Sequence, residues 1–192
     1  MTITIMKNIA IFASGNGTNA ERIIKYFAKS KIAHVALVVT NNSKAGVINR
    51  ANTLNVDVQV INRNVFYDSQ SIISTLAKYK VDLIVLAGFL WLVPKYLIDK
   101  YEYRIINIHP ALLPKYGGKG MYGMRVHESV IENNEEESGI TIHQVNDKYD
   151  DGQIIFQEKV KVEINETPET LAGKIHILEY KHFPKVIEDQ LI

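Results

Sequence analysis

A chain of 192 residues has room for one sizeable core, or a core with a small appendage. Its 46% hydrophobic and 22% charged residues are ordinary for a soluble globular domain, and a net charge of +1 gives no bulk electrostatic case for nucleic acid or a membrane surface. Having no cysteine, it is excluded from disulfides, thiolate metal sites and cysteine nucleophiles together, which fits a reducing compartment.

The N-terminus, Met1 to Lys7, lacks a basic region ahead of a long apolar segment and does not read as a signal peptide. Met6 is a candidate start, residues 1–5 then being a vector remnant. Asn8 to Ala13 is a short apolar run that ends in Ser14-Gly15-Asn16-Gly17-Thr18-Asn19, and a helix follows with Ile23, Ile24, Phe27 and Ala28 on one face. His34 to Thr40 is Val-rich and reads as a buried strand. Asn41-Asn42-Ser43 is expected to cap a helix reaching about Leu54, and Asp57 to Ile61 a short strand. Asp68 to Tyr79 carries Ile72, Ile73, Leu76 and Ala77 at helical spacing. Leu83 to Ala87 is a fully apolar strand within Val81 to Val93, the longest apolar stretch and too short to span a bilayer. Pro94 fits the first turn of a short helix, and Arg104 to Ile108 another strand.

Beyond about Pro110 the pattern changes. Tyr116 to Gly123 is a Gly-rich loop and Val126 to Asn133 looks helical. Gly139 to Val145 and Ile154 to Val162 alternate like antiparallel strands, and Thr167-Pro168-Glu169 opens a last helix that Pro184 would bend or interrupt. Alternating strands and helices imply right-handed crossovers. The expected fold is therefore α/β, a Rossmann-like, mostly parallel sheet with helices on both faces and an antiparallel C-terminal extension. Residues 1–192 read as one domain. Its half at about 6–110 binds nucleotide or phosphate; the half at about 111–192 holds loops, antiparallel strands and the final helix.

Two segments carry chemistry. Ser14 to Asn19 joins a strand to a helix, where glycines allow a close backbone approach and free N–H groups favour an anion. A tight turn with a capped helix is the plainer reading; no Walker lysine follows, and the dinucleotide spacing is incomplete. Asn107-Ile108-His109-Pro110 closes a buried strand, and strand alternation places Asn107 and His109 on the same side. An amide donor beside an imidazole suits a developing oxyanion, and a charged imidazole wants a carboxylate neighbour. Asp147, Asp150 and Asp151 are all candidates by spacing. The six histidines are dispersed without a His-Glu-x-x-His spacing, so no metal site is expected.

Ser14-Gly15-Asn16-Gly17-Thr18-Asn19, Leu86-Ala87-Gly88-Phe89, Asn107-Ile108-His109-Pro110-Ala111-Leu112-Leu113-Pro114 and the run from Gly139 through His143 to Asp150 and Gly152 resemble the folate-dependent formyltransferase family, in its phosphoribosylglycinamide branch. The resemblance runs over nearly the whole chain. It implies transfer of a formyl group from 10-formyltetrahydrofolate, a co-substrate, to the amine of phosphoribosylglycinamide, a cytoplasmic step of de novo purine synthesis. Gly17, Thr18 and Asn19 would hold the substrate's phosphate, and His176 and Glu179 would contact the ribonucleotide, Glu179 near its amine. Asn107 and His109 would stabilise and protonate the tetrahedral intermediate, with Asp150 holding the imidazole charged. Leu90, Trp91, Leu92, Val93, Asn107, Asn146, Asp147, Lys148, Tyr149 and Asp150 would line the folate pocket. The implied partners are small molecules, with neither nucleic acid nor membrane, acting on a monomer or homodimer.

The chain departs from the family pattern at four places. Trp91 and Gln70 stand where relatives often carry Arg, leaving Arg63 or Lys44 as nearby cations. Gly117 to Gly123 is longer than the equivalent loop, and Asp151 replaces a common Gly. Within the family, a length of 192 residues leaves no room for the extra domains of the tRNA formyltransferase or the formylfolate hydrolase.

Overall fold

The computed structural model describes residues 6–192, so the reading of residues 1–5 lies outside the described residues. Seven strands form one sheet in the order β3-β2-β1-β4-β5-β6-β7. They are β1 (Lys7–Phe12), β2 (Ala33–Thr40), β3 (Val58–Val60), β4 (Leu83–Leu86), β5 (Ile105–His109), β6 (Glu137–Gln144) and β7 (Ile154–Lys161). The first five pair in parallel, while β6 and β7 add antiparallel to β5. Six α-helices complete the fold: α1 (Thr18–Phe27), α2 (Gly46–Thr53), α3 (Ile72–Lys78), α4 (Lys95–Lys100), α5 (Met124–Glu132) and α6 (Pro168–Asp189).

Strand periodicity builds two cores. Ile9 and Ile11 of β1 point into a cluster with Ile23 and Phe27 of α1, Val47 of α2 and Ile175 and Phe183 of α6. Ala10 and Phe12 point the other way, toward Phe66, Ile72 and Leu76 of α3 and Leu97 of α4. Burial of both sheet faces explains why the strands are continuous apolar runs rather than alternating ones.

Several expected boundaries move for identifiable reasons. Asn41-Asn42-Ser43 does not cap α2. The Asn42 side chain accepts a hydrogen bond from the Lys44 N–H at 2.9 Å and makes a turn, and the helix begins only after Ala45, which makes no side-chain cap bond. Ala28 and Ala77, placed by periodicity on buried faces, are exposed because α1 and α3 are ending there. Pro94 is the N-cap of α4 rather than a first-turn residue. A π-helical turn over Asn64–Asp68, unforeseen from the sequence, buries Phe66. Pro184 does not interrupt α6. It removes one intrahelical bond, but buried Ile175, Phe183 and Ile187 hold the helix on the sheet to either side of it. The helix starts in a capping box, with the Thr170 N–H donating to Thr167 Oγ1 and the Thr167 N–H to Thr170 Oγ1.

The loop after β1 is shaped by Gly17, which caps α1 at φ 78°, a left-handed value. A Cβ there would also lie 2.5 Å from Val47 Cβ. Gly17→Ala is therefore expected to cost roughly 2–4 kcal/mol, from left-handed strain and overpacking together. Urea denaturation reads this directly; an unchanged midpoint would mean that the α1–α2 contact yields freely.

Candidate active site

The parallel strands end at one edge of the sheet, and such an edge is where open α/β sheets gather their chemistry. At the end of β5, Ile106 and Ile108 face the core while Asn107 and His109 face the opposite way. Antiparallel pairing sets His143 of β6 directly across from Asn107, and Thr141 across from His109. The register of β6 against β7 slips between Ile142 and His143, a bulge beside the site. Thr141 pins the chain leaving β5: its hydroxyl donates to Ala111 O at 2.6 Å and accepts from the Leu113 N–H at 3.0 Å and Gln157 Nε2 at 2.8 Å.

The turn after β6 brings Asp150 back over this pair. Of the three aspartates open by spacing, Asp150 is the one that reaches it, and it does so from the left-handed region, φ 53°. Its Oδ2 lies 3.5 Å from His109 Nδ1 and accepts the Gly118 N–H at 2.9 Å. Its Oδ1 accepts from Asn107 Nδ2 at 3.3 Å and lies 3.7 Å from His143 Nε2. On the other side of its ring, His109 donates Nε2–H to the Tyr116 carbonyl at 2.7 Å. Asp151 turns elsewhere, accepting from Asn146 Nδ2 at 3.1 Å.

Burial dominates the electrostatics. His109 is 3% exposed, and burial pushes its imidazole below the usual value; the attraction of Asp150 and the Tyr116 carbonyl offset this only in part. The carboxylate and the Tyr116 carbonyl, one acceptor at each ring nitrogen, favour the standing imidazolium expected with Asp150, while burial opposes it and favours the neutral form. With Nε2–H given to Tyr116, that form carries its lone pair on Nδ1, facing Asp150. For Asp150 itself, burial works upward, but the His143 and His109 rings and the Gly118 N–H together hold the carboxyl below its ordinary range.

A narrow cleft opens beside Asn107, His143 and Asp150. Trp91, Leu92, Val93, Lys148 and Tyr149 line it, joined by Leu86, Phe89 and Val145, which were not among the residues expected to line the folate pocket. Leu90, Asn146 and Asp147 fall outside it. Leu90 is 45% exposed, the Asn146 amide is spent on Asp151, and Asp147 faces solvent. The aromatic wall continues outward, with the Arg63 guanidinium 5.1 Å from the Trp91 ring centre. A wider hollow over Glu163, Ile164, Glu166 and Lys174 contains none of the candidate residues.

The glycine loop meets the other end of the chain. Asn19, in the first turn of α1, donates to Glu179 Oε2 at 2.9 Å, and His176 Nδ1 donates to the same oxygen at 2.9 Å. Gly17, Thr18, Asn19, His176 and Glu179 therefore gather between α1 and α6. Early α1 N–H groups have no partner within the helix and stand open to an anion. The Glu179 hydrogen bond raises the His176 imidazole above its usual value, outweighing burial.

Four contributors were missed. His143 sat in a recognised motif, but only strand pairing reveals that it faces Asn107. The Tyr116 carbonyl and the Gly118 N–H are backbone groups, which side-chain patterns cannot announce. His127 of α5 is buried, and its Nδ1 has no hydrogen-bond partner among the described residues. Among the described residues, no three His, Asp or Glu side chains converge as a metal-holding group.

The formyl transferase family profile matches residues 7–187. Phosphoribosylglycinamide formyltransferase of Bacillus subtilis (strain 168) is 36% identical, over 97% of this chain and 95% of its own. The chloroplastic phosphoribosylglycinamide formyltransferase of Arabidopsis thaliana is 39% identical over 94% of this chain; this chain spans 64% of that relative, less than two thirds of its length. The crystal structure of phosphoribosylglycinamide formyltransferase from Bacillus halodurans superposes with a TM-score of 0.86 at 36% identity, covering 96% of this chain and 95% of that one.

The raised His176 imidazole stabilises, in a pH-dependent way, the α6 carboxylate of Glu179 to which Asn19 of α1 is bonded. A group whose folded value is raised gives its full stabilisation below its unfolded value, about 6.5 for His, and loses it as pH rises through the folded value. The stability difference between wild type and His176→Gln is thus expected to be largest at mildly acid pH and to fade above neutrality. Denaturation at a series of pH values measures it, and a difference flat with pH would remove the ion pair from the account.

Proposed function

The chain belongs to the formyl transferase family, and on that premise we propose that it transfers the formyl group of 10-formyltetrahydrofolate to the amine of 5-phosphoribosylglycinamide, in the cytoplasm, as a step of purine synthesis. One observation carries the reading: Asn107 and Asp150 line the base of an apolar, aromatic cleft, with the buried His109 ring 3.5 Å from the carboxylate. An apolar wall of Phe89, Trp91, Leu92 and Val93 with polar groups at its base suits a pterin-like ring. The open amides of the glycine loop and the Asn19–Glu179–His176 cluster suit a phosphorylated amine, the phosphate at α1 and the amine near Glu179.

The formyl folate supplies an activated one-carbon group, and the protein's residues supply orientation, charge stabilisation and proton handling. Holding two substrates in one cleft is worth ~7 kcal/mol or more when the reacting atoms are aligned. As the amine attacks, negative charge grows on the formyl oxygen. The Asn107 N–H now spent on Asp150 at 3.3 Å is long, and transfers readily to that oxygen. Attack also leaves an excess proton on the amine nitrogen. His109 accepts it at Nδ1, the nitrogen with the lone pair, and the carboxylate 3.5 Å away stabilises the imidazolium while it lasts. The same proton then goes to the departing folate nitrogen. A base must be able to stand unprotonated, and burial lowers the His109 value in that direction.

Turnover is expected when the protein is mixed with the two substrates and folate absorbance is followed; absence of turnover overturns the proposal. Asp150→Asn is expected to lower kcat by about 10²–10⁴-fold. It also removes the largest of the groups that pull the His109 value upward, so the residual activity should lose its acid limb at lower pH than wild type. A limb that stays put or moves to higher pH would separate His109 from the rate.

A further inference from the structure

Asn107 presents a problem of orientation. The two ends of a carboxamide are nearly the same size, so packing alone does not decide which end faces the cleft. Turned over, it would set a carbonyl oxygen against the developing oxyanion. Its nitrogen has two neighbours, Asp150 Oδ1 at 3.3 Å and His143 Nε2 at 3.0 Å. The first of these bonds is long, and under the proposed reaction it must be given up. The second is unused by the chemistry.

The hydrogen bonding of His143 is fixed from behind. Its Nδ1 lies 2.7 Å from the Gln144 carbonyl, which can only accept, so in the neutral ring Nδ1 carries the proton and Nε2 the lone pair that faces the Asn107 amide nitrogen. Nε2 is 3.7 Å from Asp150, beyond hydrogen-bond length, and the amide nitrogen is the near partner. The ring is 2% exposed, so water cannot stand in for it. Gly152 completes the arrangement. A Cβ there would fall 1.8 Å from the Gln144 carbonyl oxygen, so any side chain would displace the acceptor that sets the ring.

We propose that His143, held as its Nδ1–H tautomer by the Gln144 carbonyl, is the positioning residue that keeps the Asn107 amide nitrogen turned toward the reacting oxygen. One N–H is anchored on Nε2, and this leaves the other free to move from Asp150 to the substrate. The role deepens the proposed formyl transfer and rests on it.

Glutamine places an acceptor where Nε2 stands, whereas asparagine reproduces only the Nδ1–H donor. His143→Asn is expected to lower kcat about a hundredfold, the scale of one lost oxyanion donor. KM for both substrates should change little, and His143→Gln should recover most of kcat. Equal loss in both variants, or wild-type kcat in His143→Asn, overturns the proposal. Should either variant fail to fold, nitrogen-15 NMR of the histidine rings in the wild-type protein still decides. An unprotonated Nε2 on His143 supports the assignment, and a protonated one refutes it. Wild-type turnover is the control: its absence would count against the formyl transfer itself, while the NMR result would stand independently.

Discussion

A carboxylate that is almost out of water has to be answered by donors, and the candidate site is organised around that requirement. Asp150 sits in a left-handed conformation with little solvent contact; its oxygens accept from Asn107 Nδ2 at 3.3 Å and the Gly118 N–H at 2.9 Å, and the His109 and His143 rings stand 3.5 and 3.7 Å away. These partners come from β5, β6 and the loop at 116–118. Satisfying one buried charge therefore assembles an amide and two imidazoles in the same few ångströms. The conformational strain at Asp150 is offset by those bonds.

The two histidine–carboxylate pairs show how environment divides one chemistry into two roles. His109 is almost fully buried, and desolvation outweighs its carboxylate, leaving a ring suited to take up a proton. His176 is half exposed; its hydrogen bond to Glu179 outweighs desolvation, leaving a ring suited to carry charge beside an anionic ligand. The same residue types at similar separations differ because one pair lies under the β5 edge and the other on a helix surface.

Much of this was legible in the sequence. The apolar strands, the βα alternation and the two antiparallel strands gave the sheet, because burial of both faces imposes a continuous apolar pattern. Asn107 and His109 were legible because two-residue periodicity is local. What escaped was set by pairing or by backbone. His143 becomes a partner of Asn107 only through the antiparallel register, and Tyr116 and Gly118 act through their carbonyl and N–H. The balance at His109 was not legible, because burial depth, which opposes the carboxylate, is a property of the packed structure. Helix ends moved for the same kind of reason: side-chain turns such as that of Asn42 compete with capping.

Glu179 deserves comparison with Asp150, because it solves the same physical problem with residues from the opposite ends of the chain. It is 5% exposed, and its Oε2 takes hydrogen bonds from Asn19, in the second position of α1, and from His176, one turn earlier on α6. A buried acid with two donors is stable where an unpaired one would not be. The consequence is that α1, which presents the glycine loop, cannot be positioned independently of α6. Residues 160 positions apart in sequence thus fix the distance between the N-terminal end of α1 and a carboxylate. Under the proposed formyl transfer, a substrate with a phosphate at one end and an amine at the other would need that distance to be constant, and the Asn19–Glu179 bond would hold it.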